Sequence, residues 1–444
     1  MKEDLKVRKR ISKLLVGALL VTSLMGFAGC GNSDNAGKSE EDANAVATEE
    51  TATSDDGADN ADKKDLKVGA VMLGDENEGY TFAHIDGIKK AAESLGMSDD
   101  QIVWKYSVPE TAAAYDAAAD LVDAGCNLIV SNSYGHQSYM KQAAEEFPDV
   151  TFVAMTGDTA NQDNLPNFKN AFTNIYESRY VSGVVAGVKI KELMDGGKLA
   201  DNNKDADGKV KVGYVGAYPY AEVVSGYTAF FLGIQSIVPD VTMEVQYTNS
   251  WFDINAEGEA AKALMADGCV IIGQHADSTG APSAVEEASK TGTLAFSVGY
   301  NVDMLSVAPD VALTSATNNW SVYYAYAFKC MMDGEDIATD WAKGYADDAV
   351  AITELGSACA EGTQEAVDSA VAGIKDGSVH VFDTSKFTVE GKKIDSYHID
   401  LNGDFKCDDD NPDAEAVKDG YFHESELRAA PSFDLRIDGI KELN

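Results

Sequence analysis

Twice along this chain, short aliphatic and β-branched runs alternate with amphipathic helical stretches, and a chain patterned this way has few folds open to it. Strands separated by helices pair in parallel, because a parallel neighbour needs a crossover long enough to hold a helix. The first series places strands at 66–73, 102–106, 126–130, 150–155 and 171–175. Helices are expected between them at about 81–95, 115–124 and 138–147. A long apolar helix follows at about 177–193, and then a Gly/Asp/Asn-rich turn over 195–208. The alternation restarts there, with strands at 209–216, 242–247, 269–273, 293–297 and 311–316. Helices are expected at 223–237, 255–266, 280–290 and about 319–332.

The two series echo each other. AGCNLIVSNSYG (124–135) in the first matches DGCVIIGQHADS (267–278) in the second. Cys126 then corresponds to Cys269, and Ser131-Asn132-Ser133-Tyr134 to Gln274-His275-Ala276-Asp277. Two lobes of one build are expected, with a cleft between them and a ligand buried by hinge closure. In open α/β sheets ligands sit beyond the carboxyl ends of the strands. The loop 74–87, GDENEGYTFAHIDG, follows the first strand and opens the first helix. It carries Tyr80, Phe82 and His84 and no Lys or Arg. That composition argues against a phosphate and for a planar, uncharged ligand stacked on a ring.

The chain has 444 residues and a net charge of −39, which excludes a general nucleic-acid surface. Its first residues carry a basic stretch followed by an apolar core over 14–27, the pattern of a signal peptide. Phe27-Ala28-Gly29-Cys30 resembles a bacterial lipobox, with Phe27 where Leu is usual. Cys30 is therefore the expected lipidation site, so the membrane is reached by an anchor and not spanned. Residues 30–64 are acidic and nearly free of large apolar residues, and so read as a disordered tether.

Beyond Cys30 there are five cysteines and no C-x-x-C pair, which points to neither a disulfide framework nor a zinc site. Cys126 and Cys269 read as buried small hydrophobes. In the tail, a helix is expected over 365–375 and a strand hairpin over 379–382 and 387–389. The segment 400–413 follows a calcium-loop pattern at Asp400, Asn402 and Asp404. Phe405 and Asn411 break it, so a solvated acidic turn is favoured. No serine elbow, P-loop or H-E-x-x-H is present.

The segments GDENEGYTFAHIDGIKKA, VSNSYG, AAEEFPDVTFVAMTG, NIYESRYVSGVVAG, KVGYVGAYPYAEVVSGYTAFFLGI, NSWFDINAEGEAAKALMADG, QHADS and VGYNVDM occur in that order. Together they resemble the BMP (basic membrane protein) family of ABC-transporter substrate-binding lipoproteins, over roughly 66–382. The resemblance implies a type 1 periplasmic-binding-protein fold: α/β, with two Rossmann-like lobes, a hinge and an interlobe cleft. It implies a purine nucleoside or free base as ligand, an ABC permease and a separate ATPase as partners, no enzymatic activity and no cofactor. The expected organisation is a lipoprotein signal peptide at 1–29 and the tether at 30–64. The N-terminal lobe follows at 65–175, and a mostly C-terminal lobe with hinge crossings at 176–320. A crossing helix and irregular extension close the chain at 321–444. A monomer anchored outside the cytoplasm is expected.

The resemblance also narrows the site. Tyr80 stands seven residues before Gly87, where the family's nucleoside binders carry the stacking aromatic, with Thr81 in the place of their Asn. The neighbourhood of their ribose-binding Asp holds Tyr300, Asn301 and Asp303. Where they carry a Lys this chain reads Ala316-Thr317-Asn318-Asn319-Trp320, which favours a free base such as adenine. Asp277 is expected to accept a purine's exocyclic amine, and Glu222 to line the second lobe. Tyr134, Trp251, Phe82 and Trp320 are ring candidates, each with a core-packing alternative. Phe252 reads as buried, His275 as structural, and Arg179 as paired with Glu177 or Glu222. A sugar or autoinducer receptor of the same fold is the alternative function, followed by a surface hydrolase using His275 and Asp277.

Overall fold

The computed structural model describes residues 65–401 and 414–444. The expected signal peptide, Cys30 and the tether lie outside the described residues, as do Cys407 and 402–413 of the acidic segment. The first series folds as β1 (Val68–Val71), α1 (Gly79–Ser94), β2 (Ile102–Lys105) and α2 (Ala113–Asp123). It continues with β3 (Leu128–Ser131), α3 (Gln137–Glu146), β4 (Thr151–Met155), α4 (Ala160–Asp163) and β5 (Phe168–Thr173). Next come α5 (Ile175–Asp195), β6 (Val210–Gly216), α6 (Ala221–Ile237), β7 (Val241–Tyr247) and α7 (Ile254–Ala266). They are followed by β8 (Ile271–Gln274), α8 (Gly280–Ser289), β9 (Phe296–Tyr300), β10 (Ala312–Asn318) and α9 (Trp320–Asp333). The remaining elements are β11 (Asp340–Lys343), β12 (Val350–Ile352), α10 (Thr363–Lys375), β13 (Val417–Lys418), β14 (Tyr421–Phe422) and β15 (Ile440–Glu442).

Two large sheets result, in the orders β11-β5-β4-β3-β1-β2 and β12-β10-β9-β8-β6-β7-β15, beside a small antiparallel pair of β13 and β14. The five strands of each series adopt the same 2-1-3-4-5 order, so the echo in sequence is an echo in topology. β1 pairs in parallel with both β2 and β3, and β6 with both β7 and β8. All four residues of β1 are buried, as expected of a strand covered by helices on both faces. Backbone conformation repeats as well. Ser107 and Asn249, each two residues past the second strand of its series, have φ of 54° and 56°. Thr156 and Asn301, each one past the fourth, have φ of 64° and 62°. Left-handed φ is costly for a β-branched Thr, and such strain gathers at functional sites.

The lobes exchange chain at their seam. β5 leads into α5, which packs on α6 of the second lobe. Here Gly183 and Gly233 let the backbones touch: a Cβ on either would stand 2.1 Å from the Phe230 or Tyr180 carbonyl oxygen. β10 leads back into α9, which packs on α1 of the first lobe. β11 then extends the first sheet beside β5, with Asp340 opposite Asn170, and β12 runs antiparallel to β10 in the second. The type 1 periplasmic-binding fold is thus built with crossings at β5–α5, β10–α9 and β11–β12.

The tail departs from expectation. The segments 379–382 and 387–389 form no hairpin; Asp383 bridges to Tyr421 and Val389 to Lys392 instead. Val381, Phe382 and Phe387 are consumed by packing, Phe382 stacking on Phe433 at 4.3 Å. Further on, β15 adds a parallel strand to the β7 edge, with Ile440 opposite Met243. Cys126 and Cys269 are buried free thiols.

Candidate functional site

In each sheet the first and third strands lead to opposite sides, and a crevice opens at their carboxyl ends. The two crevices face each other across a cleft of about 570 Å³, its open mouth included. The first lobe contributes Leu73, Glu78, Tyr80, Asn132, Ser133, Tyr134 and Thr156, and the second Glu222, Trp251, Phe252, Asp277 and Tyr300. No Lys, Arg or His is among these lining residues.

The loop after β1 is held by helix-terminus chemistry. Glu78 sits at the N-cap of α1 in extended conformation, and its carboxylate accepts from Tyr80 N (2.8 Å) and Thr81 N (2.9 Å). It thereby satisfies amide groups that the first turn leaves free. Tyr80 donates its hydroxyl to the Asn132 carbonyl at 2.6 Å, which pins the ring across the β1–β3 gap. Asn132 is fully buried, accepting from Leu73 N (2.8 Å) and donating to Thr81 Oγ1 (3.1 Å). Tyr134 reaches Asp158 with its hydroxyl at 3.3 Å.

On the facing wall, Trp251 lies against Tyr218 at 5.3 Å, and its carbonyl accepts the Asp277 amide at 2.7 Å. Tyr300 is 3% exposed, and the guanidinium of Arg179 lies 3.6 Å from its ring centroid. Arg179 also donates to the Gln274 carbonyl at 2.6 Å. The expected pairing of Arg179 with Glu177 or Glu222 is replaced by this ring and carbonyl; Glu177 instead accepts from Tyr345 N. His275 is buried behind the wall, between Glu222 (3.3 Å) and Tyr214 (3.5 Å). Burial, reinforced by the charge on Arg179, pushes its imidazole down to about 4, so it is neutral at pH 7.

Glu78, Glu222 and Asp277 bring carboxyl groups into the cleft. Asp277 is buried and pushed well above the usual carboxylate range, first by burial and then by Glu78, Glu257 and Glu222. Burial also raises Glu78, against the hydrogen bonds it accepts. Glu257, beneath the wall, is raised by burial to about 7.

Six of the ten expected ligand contacts line this cleft: Tyr80, Tyr134, Glu222, Trp251, Asp277 and Tyr300. Four do not. Phe82 is two positions from Tyr80 on α1, about 200° around the helix, and is 44% exposed on the outer face. Trp320 is 1% exposed and stacks on His84 at 4.3 Å. Gly87 makes room for it, since a Cβ there would lie 2.7 Å from Trp320 Cβ. Asp303 is exposed and caps its own turn through Leu305 N. Asn318 is buried behind the wall, where it binds Asn301 (3.2 Å) and Thr173 (2.5 Å). Phe252, expected to be buried, is 41% exposed at the cleft. Leu73, Glu78, Asn132, Ser133 and Thr156 were not singled out as ligand contacts. The echo marks Asn132 and Ser133, which match His275 and Ala276 at the end of the equivalent strand.

The family model of the Bmp type, described as ABC transporter substrate-binding protein PnrA-like, matches residues 74–384. A purine-binding protein of Brucella abortus is 36% identical over 279 residues, 63% of this chain and 72% of the relative. A putative ABC transporter glucose-binding protein of Haloferax volcanii is 27% identical, over 75% of this chain and 79% of the relative. Among solved structures, a solute-binding protein of an ABC transporter system from Aeropyrum pernix aligns with a TM-score of 0.59 at 17% identity. That alignment covers 71% of this chain and 93% of the other. With the match spanning most of the described residues and both walls of the cleft, the chain belongs to the Bmp family of PnrA-like ABC transporter substrate-binding proteins.

Proposed function

We propose that the chain binds a purine base or nucleoside between its lobes and delivers it to an ABC permease driven by a separate ATPase. As an ABC solute-binding protein it works outside the cytoplasm, and on this reading a lipid on Cys30 tethers it to the membrane as a monomer. The observation that carries the reading is the composition of the cleft. Tyr80, Tyr134, Trp251, Phe252 and Tyr300 supply ring surface, and Glu78, Glu222 and Asp277 supply hydrogen-bonding carboxyls. With no cation in the lining, a phosphorylated ligand would have no charge partner. An uncharged heteroaromatic ligand suits both features. The Brucella relative, named as purine-binding, supports it.

A sugar is the second reading, favoured by the Haloferax relative named as glucose-binding and by the same carboxyls, which also suit hydroxyl groups. Thermal unfolding of the secreted domain with adenine, adenosine or glucose separates the two. A ligand at ~100 times its Kd stabilises the native state by about 2.7 kcal/mol. Adenine or adenosine should raise Tm by several degrees and glucose should not. Tyr80→Ala should abolish the shift, measured against its own unliganded Tm, which the lost bond to Asn132 and lost packing lower. A shift with glucose alone would replace the purine reading with the sugar one.

A further inference from the structure

Asp277 ends a directional hydrogen-bond chain that starts at the lobe crossings. Thr173, the last residue of β5, donates its hydroxyl to Asn318 Oδ1 at 2.5 Å. Asn318, the last residue of β10, donates Nδ2 to Asn301 Oδ1 at 3.2 Å. Asn301 then donates Nδ2 to Asp277 Oδ1 at 2.7 Å. In this arrangement the Asn301 amide presents its donor to Asp277, and Asp277 Oδ1 accepts. Any proton on this carboxyl therefore sits on Oδ2, the oxygen left to the cleft.

The surroundings favour that proton. Glu78 at the start of α1, Glu222 on α6 and Glu257 on α7 all act on Asp277 with like charge. Arg179, on α5, opposes them with its positive charge as the smallest of these causes, its guanidinium being turned to the Gln274 carbonyl and the Tyr300 face. Among the described residues no cation pairs with Asp277 within salt-bridge distance. Its other titratable neighbours are Tyr80 and Tyr300, both held neutral by burial, and His275, also neutral at pH 7. A buried carboxylate with acidic neighbours and no cation paired to it protonates rather than stay ionised.

We propose that Asp277 reads the ligand as a neutral carboxylic acid, donating from Oδ2 to a ring nitrogen or carbonyl oxygen of the purine. This rests on the purine reading and narrows it to bases that set an acceptor beside an N–H, as the ring nitrogen and amine of adenine do. An ionised carboxylate would instead select an edge with two donors, as guanine carries. The role differs from the sequence expectation, in which Asp277 only accepts.

The isosteric amide tests the idea, because Asn presents the same donor and acceptor as the neutral acid. Adenine titrated calorimetrically into wild type, Asp277→Asn and Asp277→Ala at pH 7 should show D277N within ~10-fold of wild type and D277A weaker by about 100-fold. Wild-type affinity should fall as pH rises through the Asp277 transition, and D277N affinity should not. Equal losses in D277N and D277A, or wild-type binding that tightens with pH, would overturn the proposal. Infrared difference spectra of wild type minus D277N at neutral pH test the protonation state without ligand. The expected difference is a protonated-carboxyl band; a carboxylate band would also overturn it. If that band is present and no purine binds, the purine reading fails and the neutral acid stands.

Discussion

Burial decides the charge of the acid beneath the cleft wall. Glu257 is fully buried, and its carboxylate accepts the backbone N–H groups of Asp253 (3.1 Å) and Ser278 (3.2 Å). Those bonds lower its pKa but burial outweighs them, and the folded value rises to about 7. Between the ordinary value and that one the native state holds a proton that the unfolded chain has lost. Stability contributed by this group is therefore complete below the ordinary value and falls as pH rises to about 7, by up to about 3 kcal/mol. His275 acts with the opposite sign. Its folded value of about 4 costs stability as pH falls from 6.5 toward 4, when the unfolded chain gains a proton first. Glu257→Gln keeps an acceptor for the two amides and removes the titration. Urea unfolding from pH 5 to 8 should show a flatter loss on the alkaline side for E257Q than for wild type. Parallel curves would mean that Glu257 is ionised in the native state throughout.

At the level of elements, close approach outweighs propensity. Gly233 lies inside α6, where replacement by Ala alone would favour the helix by about 1 kcal/mol. Its Cβ, however, would meet the Tyr180 carbonyl oxygen on α5 at 2.1 Å. Backbone cannot step aside as a flexible side chain can, so Gly233→Ala should lower the unfolding free energy by about 3 kcal/mol, read from the urea midpoint. A stabilised variant would show that the helices have room to separate. The same elements set what could be read in advance. The buried parallel strands and their helices were legible, because continuous aliphatic runs and period-3.6 patterns carry their own signal. The fourth strand of the second series was placed at 293–297 and forms as Phe296–Tyr300, since its flanks are equally apolar. β11, β12 and β15 have three or four residues each and exist only because an edge strand is there to pair with. In the site, Tyr134 and Asp277, aligned by the repeat and each three residues past its strand end, were legible as lining the cleft. Trp320 was not, because a tryptophan filling the space over Gly87 has the same local sequence as one facing a ligand.

Across the whole molecule, the last thirty residues join what the cleft separates. Glu424 is buried and accepts from Ser225 on α6 at 2.6 Å and from Ser432 N and Phe433 N, which ties the tail to the second lobe. β15 ties it again at β7, where Glu442 accepts from Tyr227 and Tyr247. Between these anchors the chain reaches the first lobe. Ala429 N donates to Asp340 Oδ2 on β11 at 2.9 Å, and Arg428 lies 3.5 Å from Asp158. Asp158 also holds Gln137 Nε2 at 2.9 Å and takes the hydroxyl of Tyr134, which lines the cleft. Arg428 further donates to the Asp400 and Pro431 carbonyls, so its guanidinium joins the first lobe to the tail at one point. Its side chain and that of Asp158 are 12% and 11% exposed, so the pair is screened far less than a surface contact. Removing one partner of a mostly buried pair leaves the other unpaired, at a cost of about 3 kcal/mol. Arg428→Ala should therefore lower the urea midpoint and, because the tail it ties to the first lobe is anchored on the second, also raise the radius of gyration of the unliganded protein in small-angle scattering. A lowered midpoint with unchanged scattering would make Arg428 a local staple of the tail; both changes together would make the tail part of the hinge that sets how far the cleft opens.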